Sequence, residues 1–192
     1  MTRKIHHIFP FLLGLAMLAG TTGLQARGAE PAKHRLFVLT DIGGDPDDRM
    51  SMVRLMTYAN HFDIEGLVAT PVGSEAALNP QQIRRIVEAY GKVRDNLEQL
   101  EPGFPQADYL LSRMSKGVPC DDRDGVGEGT DSPGSERLIQ AVDGDAPRPL
   151  WVTVWGGPNV LAQALWKVRA TRSAAELDRF VSKLRVYAIS DQ

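Results

Sequence analysis

The sequence predicts an α/β protein with a mostly parallel sheet and helices on both faces. Three observations predict it. Short apolar runs rich in β-formers, at 35–40, 64–70, 150–154 and 184–189, alternate with segments whose apolar residues recur at helical spacing. Gly, Pro, Asn and Asp punctuate the junctions. The composition, 43% hydrophobic and 24% charged over 192 residues, is that of an ordinary globular chain long enough to bury its own core. Alternation of this kind implies βαβ units and a largely parallel sheet.

The first thirty residues stand outside that pattern. Arg3 and Lys4 precede an apolar stretch from Ile8 to Gly20, and small residues follow at Thr21, Thr22, Gly23 and Ala26. This is the layout of a secretory signal peptide. The stretch contains Pro10 and falls short of the roughly 20 residues that span a bilayer. We therefore expect residues 1–26 to be a cleaved signal, 27–33 a linker and 34–192 a single α/β domain. The protein is expected to be exported, periplasmic or extracellular, with no stable membrane span after cleavage. The lone Cys120 allows no internal disulfide, and Asp121 and Asp122 beside it oppose thiolate formation, so it reads as a bystander. A net charge of -2 without a basic block excludes nucleic acid as the main partner.

Residues 35–40 (RLFVLT) form the first strand, which stops at the acidic loop DIGGDPDD. A helix over 47–60 follows, marked by Met52, Val53, Met56 and Ala59. Ile64 to Thr70 is the second strand. Asn79-Pro80-Gln81-Gln82 then supplies an N-cap, a proline at the first helical position and a capping-box glutamine for a helix through Val93. Residues 117–134 read as a long loop, after which Ser132 and Pro133 open a helix around Leu138, Ile139 and Val142. Leu150 to Val154 is the third strand, followed by Gly156-Gly157-Pro158-Asn159 and a helix, and Leu184 to Ile189 is the fourth. Trp151 and Trp166 are expected to pack in the core, and His34 and His61 to lie on the surface.

Ligands of such sheets bind beyond the carboxyl ends of the strands. Asp41, Asp45, Asp47 and Asp48 crowd into the loop after the first strand, with glycines that let the backbone turn tightly. Two readings stay open. Asp45 can cap the helix, placing Asp47 and Asp48 in its first turn against the positive end of the dipole. Alternatively, the carboxylates supply part of the oxygen shell of a hard cation such as Ca²⁺. The loop is no EF-hand, since Pro46 stands where that loop needs glycine and Met52 where it needs glutamate. No Gly-Lys-Ser/Thr marks a phosphate loop. Glu128 and Asp131, on the glycine-rich loop, either line a pocket or solvate the loop. Asn159 reads as a helix cap or as a shaper of the site.

The segment LTDIGGDPDD resembles the aspartate signature of the Ca²⁺-dependent nucleoside hydrolases. Together with EGLVAT, GVGEGTDSPGSE, PLWVTVWGGPNVLAQALWKVR and VYAISDQ, it resembles a family of exported bacterial proteins with a nucleoside-hydrolase-like domain, often labelled cellulose-binding. The resemblance covers roughly residues 34–192 and implies the following. Asp41 binds Ca²⁺ and takes a proton from the attacking water, while Asp48 and the backbone carbonyl of Trp155 are further ligands. Asp47 holds the sugar, with Asp45, Ser74, Glu128 and Asn159 on the substrate side. The implied activity is hydrolysis of a glycosidic bond, N-glycosyl in the related enzymes; the alternative is a cellulose-binding protein of the same fold without turnover. The ligand is a small nucleoside or a carbohydrate. Leu39 replaces the first aspartate of the hydrolase motif, and Ser74 stands where a ribose-binding asparagine is expected. A further aspartate and a histidine lie well downstream in that family, so sheet and site are expected to be completed by sequence beyond residue 192.

Overall fold

A computed structural model describes residues 32–73, 77–120 and 125–189. The signal expected at 1–26 and the ribose-side Ser74 lie outside the described residues. Among the described residues, five strands form one parallel sheet, in the order β3-β2-β1-β4-β5. These are β1 (His34–Thr40), β2 (Phe62–Ala69), β3 (Met114–Lys116), β4 (Leu150–Val154) and β5 (Leu184–Ala188). Six helices connect them: α1 (Pro46–Thr57), α2 (Pro80–Leu100), α3 (Ala107–Ser112), α4 (Pro133–Asp143), α5 (Asn159–Thr171) and α6 (Ala174–Ser182), with a 3₁₀ turn at Ala59–His61. None is long and apolar enough to cross a membrane.

The central strand β1 is buried on both faces from Arg35 to Thr40, which is why its sequence reads as a continuous apolar run rather than an alternating one. Leu36 and Val38 face a core built with Met52, Met56, Ile64, Leu67, Ile83 and Leu110 from α1, α2, α3 and β2. Phe37 and Leu39 face the opposite core, with Leu138, Val142, Val152, Val160, Ala164 and Phe180 from α4, α5, α6 and β4. The chain builds outward from β1 to β3, then returns to place β4 on the other side of β1. The strand order therefore reverses between β1 and β4. In sheets of this kind ligands bind at that switch point, beyond the carboxyl ends of the strands.

Several expectations need correction. Trp151 and Trp166 are 37% and 38% exposed rather than buried. Trp151 points from the face of β4 that α1, α2 and α3 do not reach, and Trp166 lies outside the buried stripe of α5. Pro80 opens α2 as expected, but the Asn79 side chain makes no cap bond. Instead the Asn79 and Gln82 amides pack on Gly43, where an added Cβ would stand 2.5 and 2.7 Å from their nitrogens. Asn159 is the first residue of α5 and Pro158 holds the cap position. Asp45 holds the cap position of α1 with no side-chain bond. The helix α6 announces itself by Ser173 and Glu176, whose reciprocal capping bonds the structure forms. By contrast, β3 is three residues long and lacks a periodic signal.

Candidate active site at the strand ends

The carboxyl ends of β1, β2 and β4 meet at the switch point, and each ends on a residue that shapes the site. Thr40 closes β1. Its hydroxyl, fully buried, donates to the carboxylate of Asp48, which α1 carries in its first turn and which is 7% exposed. Thr70 follows β2; its amide donates to Thr40 O (2.9 Å), and its hydroxyl donates to Gly156 O (2.8 Å) beyond β4. Trp155 N–H donates to Leu39 O (2.9 Å), which ties the end of β4 to β1.

Asp41 lies between these ends. Its carboxylate sits directly on the Gly156 backbone, where an added Cβ would come within 2.3 Å of it. Only glycine leaves that space. The next residue, Gly157, has φ +65°, and a Cβ there would meet Thr70 at 2.6 Å. The two glycines are thus required by close approach and by backbone conformation respectively.

Asp41 and Asp48 are hydrogen-bonded neighbours, and the Asp48 carboxyl is raised from 3.8 to about 6. Burial is the largest cause; the bond to Asp41 and repulsion by Asp41 and Asp47 add to it, while the Thr40 hydroxyl opposes it. Asp47 is exposed, and its Oδ1 accepts the Asp48 N–H at 2.9 Å. Asp45 is exposed as well. The structure therefore brings Asp41, Asp47 and Asp48 together, with Trp155 beside Gly156 at the same edge.

The glycine-rich loop is organised differently. Gln163, 1% exposed on α5, accepts from Gly127 N (2.8 Å) and donates to Gly127 O (3.0 Å) and Asp131 Oδ1 (2.8 Å). Lys167 and Gln163 both bond the Asp131 carboxyl and hold it below the usual carboxylate range, so Asp131 anchors the loop to α5. Glu128 sits exposed at the tip between Gly127 and Gly129, both at positive φ. Asn159 is buried, with its Oδ1 lacking a hydrogen-bond partner and its Nδ2 against Gly125 and Cys120. No hydrogen bond among the described residues joins Glu128 or Asn159 to the acidic cluster. Sequence reasoning missed Thr40 and Gln163, and it pointed to the strand-end segments that hold Thr70 and Gly156 without giving either residue a role. A signal existed for the threonines, since both strand runs end on one, in VLT and VAT.

Among the described residues, no group of three or more His, Cys, Asp or Glu is gathered to hold a metal ion. Asp41 and Asp48 form a pair of hard oxygen donors whose mutual repulsion a divalent cation would relieve. They fit as part of the shell of six to eight oxygens that Ca²⁺ takes.

A parallel doubly wound sheet with an acidic pair at its switch point defines an α/β protein of nucleoside-hydrolase-like architecture. Residues 35–192 match the family described as cellulose-binding Sde182, nucleoside hydrolase-like domain, and the chain belongs to that family. It is similar to a solved structure described as a nucleoside hydrolase-related hypothetical protein from Saccharophagus degradans that is associated with carbohydrate metabolism. The two are 42% identical with a TM-score of 0.75 over 84% of this chain, which spans 39% of that neighbour's length. No curated protein matches the sequence.

Proposed function

We propose that this chain carries the strand-end site of a glycosidic-bond hydrolase, acting on an N-glycosyl bond or a related carbohydrate linkage. The observation that carries the reading is the hydrogen-bonded Asp41–Asp48 carboxyl pair, with Asp48 buried, at the point where α/β sheets bind ligands. Asp41 accepts the proton of the attacking water as its oxygen bonds to the anomeric carbon, while the bond to the leaving group breaks. Thr40 orients Asp48, and Thr70 fixes the Gly156 peptide that seats Asp41. Asp47, Asp45, Ser74, Glu128 and Asn159 are the candidates for the substrate side. Asp41 and Asp48, with the Trp155 carbonyl, would hold Ca²⁺, which when bound neutralises the pair and orients water.

The test is sugar release from nucleosides and cello-oligosaccharides, with added Ca²⁺ and again with excess chelator. Release that chelator stops and Asp41→Asn abolishes supports the reading. No release from folded protein sinks it in favour of the second reading, carbohydrate binding without turnover, which the cellulose-binding part of the family description supports. Export belongs to the proposal through residues 1–26 alone; amino-terminal sequencing of secreted protein would check it.

A further inference from the structure

The partly or fully buried arginines fall into two kinds. Arg35 pairs with Glu65, Arg94 with Asp95 and Glu98, Arg148 with Asp63, and Arg172 with Asp143. Arg113 and Arg137 are half-buried too, yet neither has a carboxylate partner among the described residues. They stand beside each other instead. Arg113 ends α3, and Arg137 stands on α4, which lies so close over the edge strand β3 that a Cβ added at Gly134 would be 3.1 Å from Lys116 O. Arg137 Nη2 donates to the carbonyl of Ser112, the residue before Arg113 (3.0 Å), and this bond lies at the surface. The Arg113 guanidinium rests on the ring of Tyr109, 4.6 Å from its centroid. Burial, and after it the charge of Arg113, hold the Arg137 guanidinium below the usual arginine range.

The inner side of the pair carries donors with nothing to bond. Arg113 Nε, Arg137 Nε and Ser115 Oγ are buried, and none has a hydrogen-bond partner among the described residues. The strand period brings Ser115 to the arginines. Met114 packs with the core under α2 and α3, so Ser115 turns to the opposite face, which its register partner Val68 shares with α4. Unpaired buried donors and like charges held together both cost the fold stability. One ligand would remove both costs.

We infer that Arg113, Arg137 and Ser115 form a binding site for a phosphate group, apart from the acidic pair at the strand ends. A dianion neutralises both guanidinium groups, whereas a single carboxylate neutralises one. Phosphate oxygens are also numerous enough to take both Nε–H groups and the serine hydroxyl, and the planar guanidinium fork matches their geometry. The anion would enter at the surface beside Ser112 and draw the buried N–H groups onto its oxygens, a movement that long arginine side chains make easily. Arg113 precedes β3 while Asp41 follows the parallel strand β1, so the two sites lie at opposite edges of the sheet. The inference rests on no step of the proposed hydrolysis.

The experiment is calorimetric titration of the full chain with inorganic phosphate, glucose 6-phosphate and acetate, for the parent and for Arg113→Gln, Arg137→Gln and Ser115→Ala. It is run without divalent ions at about pH 7.5, where phosphate is largely a dianion. The parent is expected to bind phosphate and to bind acetate more weakly. Affinity for phosphate should fall about tenfold or more in each arginine variant, the loss expected of a charge-assisted hydrogen bond, and less in Ser115→Ala. Thermal melting of the same samples reads folding, and the phosphate-induced rise in Tm should be smaller in every variant than in the parent. A parent that does not bind phosphate overturns the inference. Equal phosphate binding by the folded Arg113→Gln and Arg137→Gln variants overturns it as well, and so does acetate bound as tightly as phosphate, which shows general attraction of anions. Should an arginine variant fail to fold, Ser115→Ala and the acetate comparison still decide. Glucose 6-phosphate bound as tightly as phosphate makes a phosphomonoester the ligand, and binding of inorganic phosphate alone makes it the free ion; either upholds the site.

Discussion

Asp48→Asn separates what the acidic pair costs the fold from what it does for a ligand. In the native chain the Asp48 carboxyl is held up to about 6 against an ordinary 3.8, chiefly because it is buried beside Asp41. That difference corresponds to roughly 3 kcal/mol of native-state penalty on the charged form. The sign follows from linkage. The folded state holds this proton more tightly than the unfolded chain, so the group favours folding below about pH 4, and that contribution is lost as pH rises through 6. Asparagine keeps an oxygen for the Thr40 hydroxyl and offers an N–H to Asp41, without the charge. Loss of a first-turn carboxylate at the start of α1 offsets the gain by roughly 0.3–1 kcal/mol. Desolvation is the larger effect, so the variant should be about 2 kcal/mol more stable than the parent at pH 8, or about 4–8 °C in Tm. The advantage should shrink toward zero by pH 4. Chemical denaturation at both pH values, without added divalent ions, measures it. A variant no more stable than the parent at pH 8, or an advantage independent of pH, would refute burial of the Asp48 charge as a cost to the fold. The same variant should show no Ca²⁺-induced rise in Tm, whereas the parent should show one.

Three further outcomes are expected. Ca²⁺ affinity of the parent should fall by up to roughly tenfold per pH unit below about 6, because the ion must displace the Asp48 proton; calorimetry at pH 5, 6 and 7 would show it, and a flat profile would count against Asp48 as a ligand. Gly156→Ala should push Asp41 out of place, costing roughly 1–3 kcal/mol of stability and abolishing the Ca²⁺ response, as read by thermal shift with and without the ion. Gln163→Leu strips the partners of Gly127 N–H and C=O, so hydrogen exchange should speed up across 125–131 at a stability cost of roughly 2–4 kcal/mol, while protection of β1 persists.

The sequence by itself determined the class of fold. The run that becomes β1 is apolar because a central parallel strand is buried on both faces, and α1, α2 and α4 open where Pro46, Pro80 and Pro133 stand. The acidic loop was legible too, since four carboxylates in eight residues need a reason beyond chance. Tertiary structure decided the rest. β3 exists because the edge of β2 accepts Met114–Lys116, not because three such residues favour a strand. The seat of Asp41 on Gly156 joins positions 115 residues apart, a contact that no local pattern encodes. Trp151 and Leu36 pair on the same sheet face, yet one is exposed and the other buried, because the helices that cover β1 stop short of β4. Periodicity tells which residues share a face; which face is covered depends on where distant helices come to rest.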